Sequence, residues 1–361
     1  MSGAPSTPPI VSGNGSFTFE YVGALLHLPA GAAVLNAHGL VQDADGSIIL
    51  AYEPEHTKDK HCLVRWTAGG TQPRLFGADS PLCAGTPHGL RLAVEENGRR
   101  FLYHANNDMA LHKTHLNGSL VWSLRGPPGG NASFLPFKPT WFATPPGSKY
   151  IYLADGYGSN LIHVYDRQGT YSGRFFGGRG IELGLFQTCH AINFDPRTQQ
   201  LIVSDRENHR HQSFDFNRRA NDPSEVTFMP KSSFLTPGIS RPCHIRFFAE
   251  GQGISKEQQR LSSSDGLSAQ VEMLGHAIYA IVPSLDGSVG ILDSSNALVS
   301  RVEVAKLLGA QGHLHPHDAI VLDNGDMAVA TWNPGRVSYW RRKAVESNVL
   351  SFLRRRSIRV E

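Results

Sequence analysis

The stretch "TCHAINFDPRTQQLIVSD", residues 188–205, places a histidine at the head of an alternating apolar run, breaks at a "DPRTQ" turn and resumes as a second apolar run. Alternation on both sides of turn residues is the mark of a β-hairpin. The same order recurs along the chain as "NAHGLVQDADGSIILAY" at 36–52, "TPHGLRLAVEENGRRFLYHA" at 86–105 and "KPTWFATPPGSKYIYLADG" at 138–156. It returns as "PCHIRFFAEG" at 242–251, with a delayed second run "HAIYAIVP" at 276–283, and as "HPHDAIVLDNGDMAVATW" at 315–332. The reference positions of these six copies, His38, His88, Pro139, His190, His244 and His317, lie 50, 51, 51, 54 and 73 residues apart. The polar insert "GISKEQQRLSSSDGLSA" lengthens the last gap. A period near 50, with room for two further strands after each hairpin, predicts an all-β fold, a six-bladed β-propeller.

In a propeller the innermost strand of every blade lines the central channel, so equivalent positions in successive blades converge on one axis. A single buried histidine usually bonds neighbouring backbone. Five at one repeat position point instead to a metal-binding channel. Neutral imidazole ligates Zn, Fe, Cu and Ni, and a coordination position left open makes such a centre catalytic.

Bulk composition narrows the classes further. The chain has 361 residues, 40% of them hydrophobic, with 37 Gly, 22 Pro and a net charge of only +3. That balance gives no warrant for a nucleic-acid partner, and no run approaches the roughly 18 apolar residues that cross a bilayer. Neither nucleic acid nor membrane is therefore expected as a partner. The expected organisation is a flexible leader over 1–16, the propeller over 17–345 and a basic tail over 346–361. The leader lacks a basic and an apolar segment of the secretory kind. Cys62, Cys83, Cys189 and Cys243 are spaced too widely for a CxxC metal site and are too few for a disulfide framework. Reduced thiols and a cytoplasmic location are the expectation.

From "KPTWFATPPGSKYIYLADGYGSNLIHVYDRQG" through "CHAINFDPRTQQLIVSDRENHRHQSF" the chain resembles the peptidyl-α-hydroxyglycine α-amidating lyases, which are NHL-type propellers. "PHGL", "DMALH", "KPT", "SDRENHR" and "PHD" follow that family's order, over roughly residues 36 to 340. The resemblance implies a central Zn held by His88, His190 and His317, with Tyr157 near the reacting hydroxyl and Arg206 steadying substrate or developing charge. It also implies a structural calcium at Asp318, a residue that can equally orient the neighbouring His317. Three departures accompany it. Where the family has an arginine that grips the substrate carboxylate, this chain has Glu53, so a neutral or cationic substrate group is expected there. His38, His244 and His315 are additional, and His38 and His244 are candidate extra ligands. The family's disulfide positions are occupied here by Phe137, Gly158, Ile202 and Gln212.

Three function classes follow. The first is a Zn-dependent lyase acting on a hydroxylated small molecule or peptide, with Tyr157, Arg206 and Glu53 at the reacting group and Trp141 and Phe186 as apolar walls. The second takes the surplus imidazoles as a sign of Fe or Cu and reads the chain as an oxygenase, or as a metal hydratase or hydrolase. The third is a non-catalytic interaction propeller. Inward-pointing histidines favour the first two.

Overall fold

The computed structural model describes residues 8–56, 60–78, 81–95, 97–129, 131–250 and 277–344. It is all-β, with six antiparallel sheets arranged as the blades of a propeller. Two short strands, β1 (Val11–Asn14) and β2 (Phe17–Tyr21), precede the first blade. Blade one is β3 (Val34–Gln42), β4 (Ile48–Pro54), β5 (Leu63–Thr67) and β6 (Thr71–Phe76). Blade two is β7 (Pro87–Val94), β8 (Arg100–Asn106), β9 (Ala110–Thr114) and β10 (Leu120–Leu124). Blade three is β11 (Trp141–Ala143), β12 (Tyr150–Ala154), β13 (Leu161–Asp166) and β14 (Tyr171–Gly177). Blade four is β15 (Cys189–Asp195), β16 (Gln200–Asp205), β17 (Arg210–Phe216) and β18 (Phe228–Phe234). Blade five is β19 (Arg246–Glu250), β20 (Ala277–Pro283), β21 (Val289–Leu292) and β22 (Leu298–Val302), followed by the short helix α1 (Val304–Leu308).

Blade six is built from both ends of the described chain. Its inner strands are β23 (Pro316–Val321), β24 (Met327–Thr331) and β25 (Arg336–Arg342), and its outer strands are β2 and β1, in the order β1-β2-β25-β24-β23. Tyr21 pairs with Trp340 and Phe19 with Arg342, so the first strands clasp the last. The leader expected over 1–16 is corrected accordingly: Val11–Asn14 pair with Phe17–Glu20 across the "NGS" turn, and Phe17 and Phe19 are buried. The insert at 253–269 and the basic tail at 346–361 lie outside the described residues.

The core is not one mass but six wedges, one between each pair of neighbouring blades. Alternation in the sequence produces this directly, because both faces of each twisted blade are covered and successive side chains point to opposite neighbours. Ile202 of β16, for example, packs with blade five, while Leu201 and Val203 pack with blade three. No helix among the described residues is long and apolar enough to cross a membrane.

Candidate metal centre

On four inner strands the ladder slips by one residue at the histidine itself. The register shifts lie between Ala37 and Gly39, Pro87 and Leu90, Cys189 and Ala191, and Pro316 and Asp318, so His38, His88, His190 and His317 each occupy a β-bulge. A bulge bends the strand and re-aims a side chain. Here it turns four imidazoles toward the axis. Gly39 and Gly89 make the close approach of inner strands possible: a Cβ on Gly39 would lie 2.6 Å from the Leu90 backbone nitrogen, and one on Gly89 would lie 2.6 Å from the Thr140 carbonyl oxygen.

Three of the four rings are then fixed by the next blade around the ring. His88 Nδ1 lies 2.8 Å from Thr140 O, His190 Nδ1 2.7 Å from Cys243 O, and His317 Nδ1 3.2 Å from His38 O. A carbonyl only accepts, so each Nδ1 carries the proton and each Nε2 is left with a lone pair. Burial holds all four rings below the usual imidazole range, so they are neutral at pH 7. His88 and His317 nevertheless turn their Nε2 atoms toward each other at 3.2 Å. Two lone pairs so close repel unless a cation stands between them.

The ring centroids of His88, His190 and His317 are 4.6 to 4.9 Å apart, and His38 stands 4.6 and 4.7 Å from His88 and His317. Ligand nitrogens of His38, His88 and His317 lie within 4.8 Å of one another. Imidazole nitrogens about 2.0–2.1 Å from a tetrahedral ion stand roughly 3.3 Å apart, close to what His88 and His317 show. Neutral nitrogen donors with their second nitrogens anchored to backbone fit a transition-metal ion.

Tyr157 and Arg206 reach the cluster from the tops of blades three and four. The Tyr157 hydroxyl is 3.1 Å from His190 Nε2 and accepts a 3.0 Å bond from Arg206 Nη1, although the residue is 37% exposed. Burial pushes the phenol above its ordinary pKa against the pull of Arg206, so it is protonated and donates to His190. Arg206 is buried, and the Tyr157 and Glu207 side chains outweigh the burial penalty and hold it more basic than usual. Glu207 is shared between Arg206 and Arg241.

Glu53 lies on the opposite side, 3.9 Å from His38 Nε2, and accepts from Asn36 Nδ2 at 2.6 Å and Thr86 Oγ1 at 3.3 Å. These neighbours, His38 first, hold its carboxyl below the ordinary range. Glu53 is therefore ionised beside His38.

Two carboxylates that the sequence reading did not single out set this geometry. Asp155 accepts from the backbone of Lys138 and Ser159 and from Ser159 Oγ, and so shapes the turn that carries Tyr157. Asp205 does the same for Arg206, accepting from Gln187 N, Asn208 Nδ2, Arg210 Nε and Gln212 Nε2. The signal was present in the sequence as an acid closing the second strand of consecutive copies, in "ADG" and "SDR".

Comparisons with known proteins agree with the propeller fold. The chain resembles an amidating enzyme. It is 25% identical over 248 residues to peptidyl-glycine alpha-amidating monooxygenase of Mus musculus, a match covering 60% of this chain and 24% of that protein. The match thus spans about a quarter of the relative's length. No protein-family model matches. Among solved structures, a catalytically inactive form of virginiamycin B lyase from Staphylococcus aureus with quinupristin aligns at a TM-score of 0.51 and 11% identity, covering 90% of this chain and 99% of that one. The selenomethionine-substituted form of the same lyase aligns at 0.46 and 11%, covering 82% and 77%. At such identities the structural likeness is one of fold.

Several expected site residues fall elsewhere. His244 precedes β19 without a bulge and packs on Trp141 at a ring distance of 4.3 Å, its Nδ1 4.0 Å from Asp318. His315 bonds Leu285 O, outside the cluster. Trp141 is buried against His244 and Arg246, and Phe186 belongs to the wedge between blades three and four, so neither forms an open wall. Asp318 does not suit calcium: Arg246 Nε and Nη2 and the backbone nitrogens of Leu40 and Ala319 all donate to its carboxylate. All four cysteines are free thiols. At Gly158 a Cβ would lie 2.0 Å from Pro136 O, so the turn that positions Tyr157 has no room for any side chain there.

Proposed function

We propose that the chain is a metal-dependent lyase acting on a hydroxylated substrate, similar in chemistry to the amidating lyases but with a remodelled substrate site. The observation that carries this reading is the pair of unprotonated Nε2 atoms of His88 and His317 facing each other at 3.2 Å. The likeness to an amidating enzyme supports it. His88, His190 and His317 would hold the ion, with His38 beside them. A Zn ion bound there would supply Lewis acidity toward a substrate oxygen.

The chain's own groups do the rest. With the His190 lone pair committed to an ion, the Tyr157 hydroxyl would lose that acceptor and be left to Arg206 and the substrate. Ionised beside a held cation, the Tyr157 oxygen would take the substrate hydroxyl proton while the substrate oxygen forms a double bond to its carbon and the bond from the carbon to the leaving group breaks; the proton would then pass to the leaving group, and the Arg206 guanidinium would steady the negative charge that develops. Ionised Glu53 repels a carboxylate and suits a neutral or cationic group beside the reacting carbon. Peptides ending in a free carboxylate are therefore poor substrates.

His38 favours a second reading, because its ring stands against His88 and His317, and a fourth imidazole beside the ion would also suit Fe or Cu, and with them an oxygenase or hydratase. Elemental analysis of protein purified without a chelating tag separates the two. About one Zn per chain, lost in each of His88→Ala, His190→Ala and His317→Ala, supports the lyase. Fe or Cu supports the second reading. Full metal occupancy in His190→Ala overturns the ligand assignment.

A further inference from the structure

Below the imidazoles, the axis holds a second cluster made of oxygen atoms alone. The backbone carbonyls of Leu40 in blade one and Leu90 in blade two, with the Asp318 carboxylate of blade six, surround one point. Carbonyl and carboxylate oxygens without imidazole or thiolate are the donor set of a hard cation such as Ca²⁺. The position is filled by the guanidinium of Arg246 from blade five. Its Nη2 lies 2.9 Å from Leu40 O, 3.4 Å from Leu90 O and 2.7 Å from Asp318 Oδ2, and its Nε lies 2.9 Å from Asp318 Oδ1. Both side chains are buried, and the guanidinium also lies 5.3 Å from the centre of the Trp141 ring in blade three.

We propose that Arg246 is a built-in substitute for a structural divalent cation, and that it is a positioning residue for the imidazole cluster. Leu40 and Leu90 each follow a histidine by two residues, and Asp318 follows His317 directly. One guanidinium therefore ties the backbones that carry His38, His88 and His317. A free ion in this place would be lost by dilution or chelation, whereas a side chain cannot leave. A guanidinium also stays charged at every accessible pH. The assignment is independent of the reaction the imidazoles serve.

The test compares the full-length wild type with Arg246→Ala, Arg246→Gln and Arg246→Lys, each dialysed free of metal and melted with and without millimolar CaCl₂. Imidazole is a poor ligand for calcium, so its effect reports on the oxygen cluster. The wild type is expected to melt at one temperature in both conditions. Arg246→Ala and Arg246→Gln are expected to melt lower without calcium and to recover several degrees with it. Arg246→Lys, which keeps the charge, is expected to stay nearer the wild type and to respond little. A calcium-dependent shift in the wild type overturns the proposal. So does the absence of any calcium response in both neutral variants, whether they fold or not, and so does an Arg246→Lys protein that behaves like Arg246→Ala.

Discussion

At the residue scale, the Tyr157 hydroxyl has two partners that compete for its roles. It gives its proton to His190 Nε2 and accepts from Arg206, so a ligand bond at His190 and the hydrogen bond from Tyr157 exclude each other. Replacing Tyr157 by Phe removes that competitor while keeping the ring against His88 and His190. We expect Tyr157→Phe to fold normally and to bind metal at least as tightly as the wild type, with turnover down about a hundredfold or more. Competitive metal titration and turnover of the same preparation check this, and near-normal turnover would return Tyr157 to the role of a turn aromatic. The placement of Tyr157 and Arg206 beside the imidazoles was legible because long motifs surround them. His244 was misplaced because residue type at a repeat position does not say whether the strand bulges there.

At the scale of elements, the four bulges carry the site, and a bulge is a relation between two strands that one strand's sequence does not display. What the sequence does display is the small or stiff residue beside each histidine: Gly39, Gly89, Ala191 and Cys189, and Pro316. Gly89→Ala tests the connection. The added methyl meets Thr140 O, the acceptor that orients His88 Nδ1. Overpacking of this kind costs about 1–3 kcal/mol. We expect a lower melting temperature together with weakened metal retention, whereas Gly98→Ala, at a turn where a Cβ meets nothing, should disturb stability through backbone strain and leave metal content unchanged. Equal loss of metal in both variants would separate the bulge from the site.

At the scale of the molecule, buried neutral histidines are spread through the blades. Burial pushes His104 and His211 down to about 3, and His112, His163 and His313 to about 4. Each titrates near 6.5 in an unfolded chain, so between those values the unfolded state binds more protons and stability rises with pH. Their contribution is complete above about pH 6.5 and is lost as pH falls, at up to about 1.4 kcal/mol per pH unit for each group. Melting curves should therefore shift little from pH 7 to 8 and fall steeply from pH 6 to 4. A flat profile down to pH 4 would show that these rings are charged or solvated in the fold. The six-blade count was legible from the six repeat copies. The composition of blade six was not, because the run over 11–21 is short and its partner strand at 336–342 lies far away along the chain.

That clasp sets a timetable for synthesis. The β1–β2 hairpin emerges from the ribosome before β25, which pairs with β2 and is about 320 residues behind. At roughly 5–20 residues per second, that delay is on the order of half a minute. Through it, Phe17 and Phe19 have no blade to enter, and the β1–β2 hairpin waits with the β2 edge unpaired. Blades one to five have all their strands before β25 is made, so the ring shuts, and His317 meets His38 and His88, only after five blades are complete.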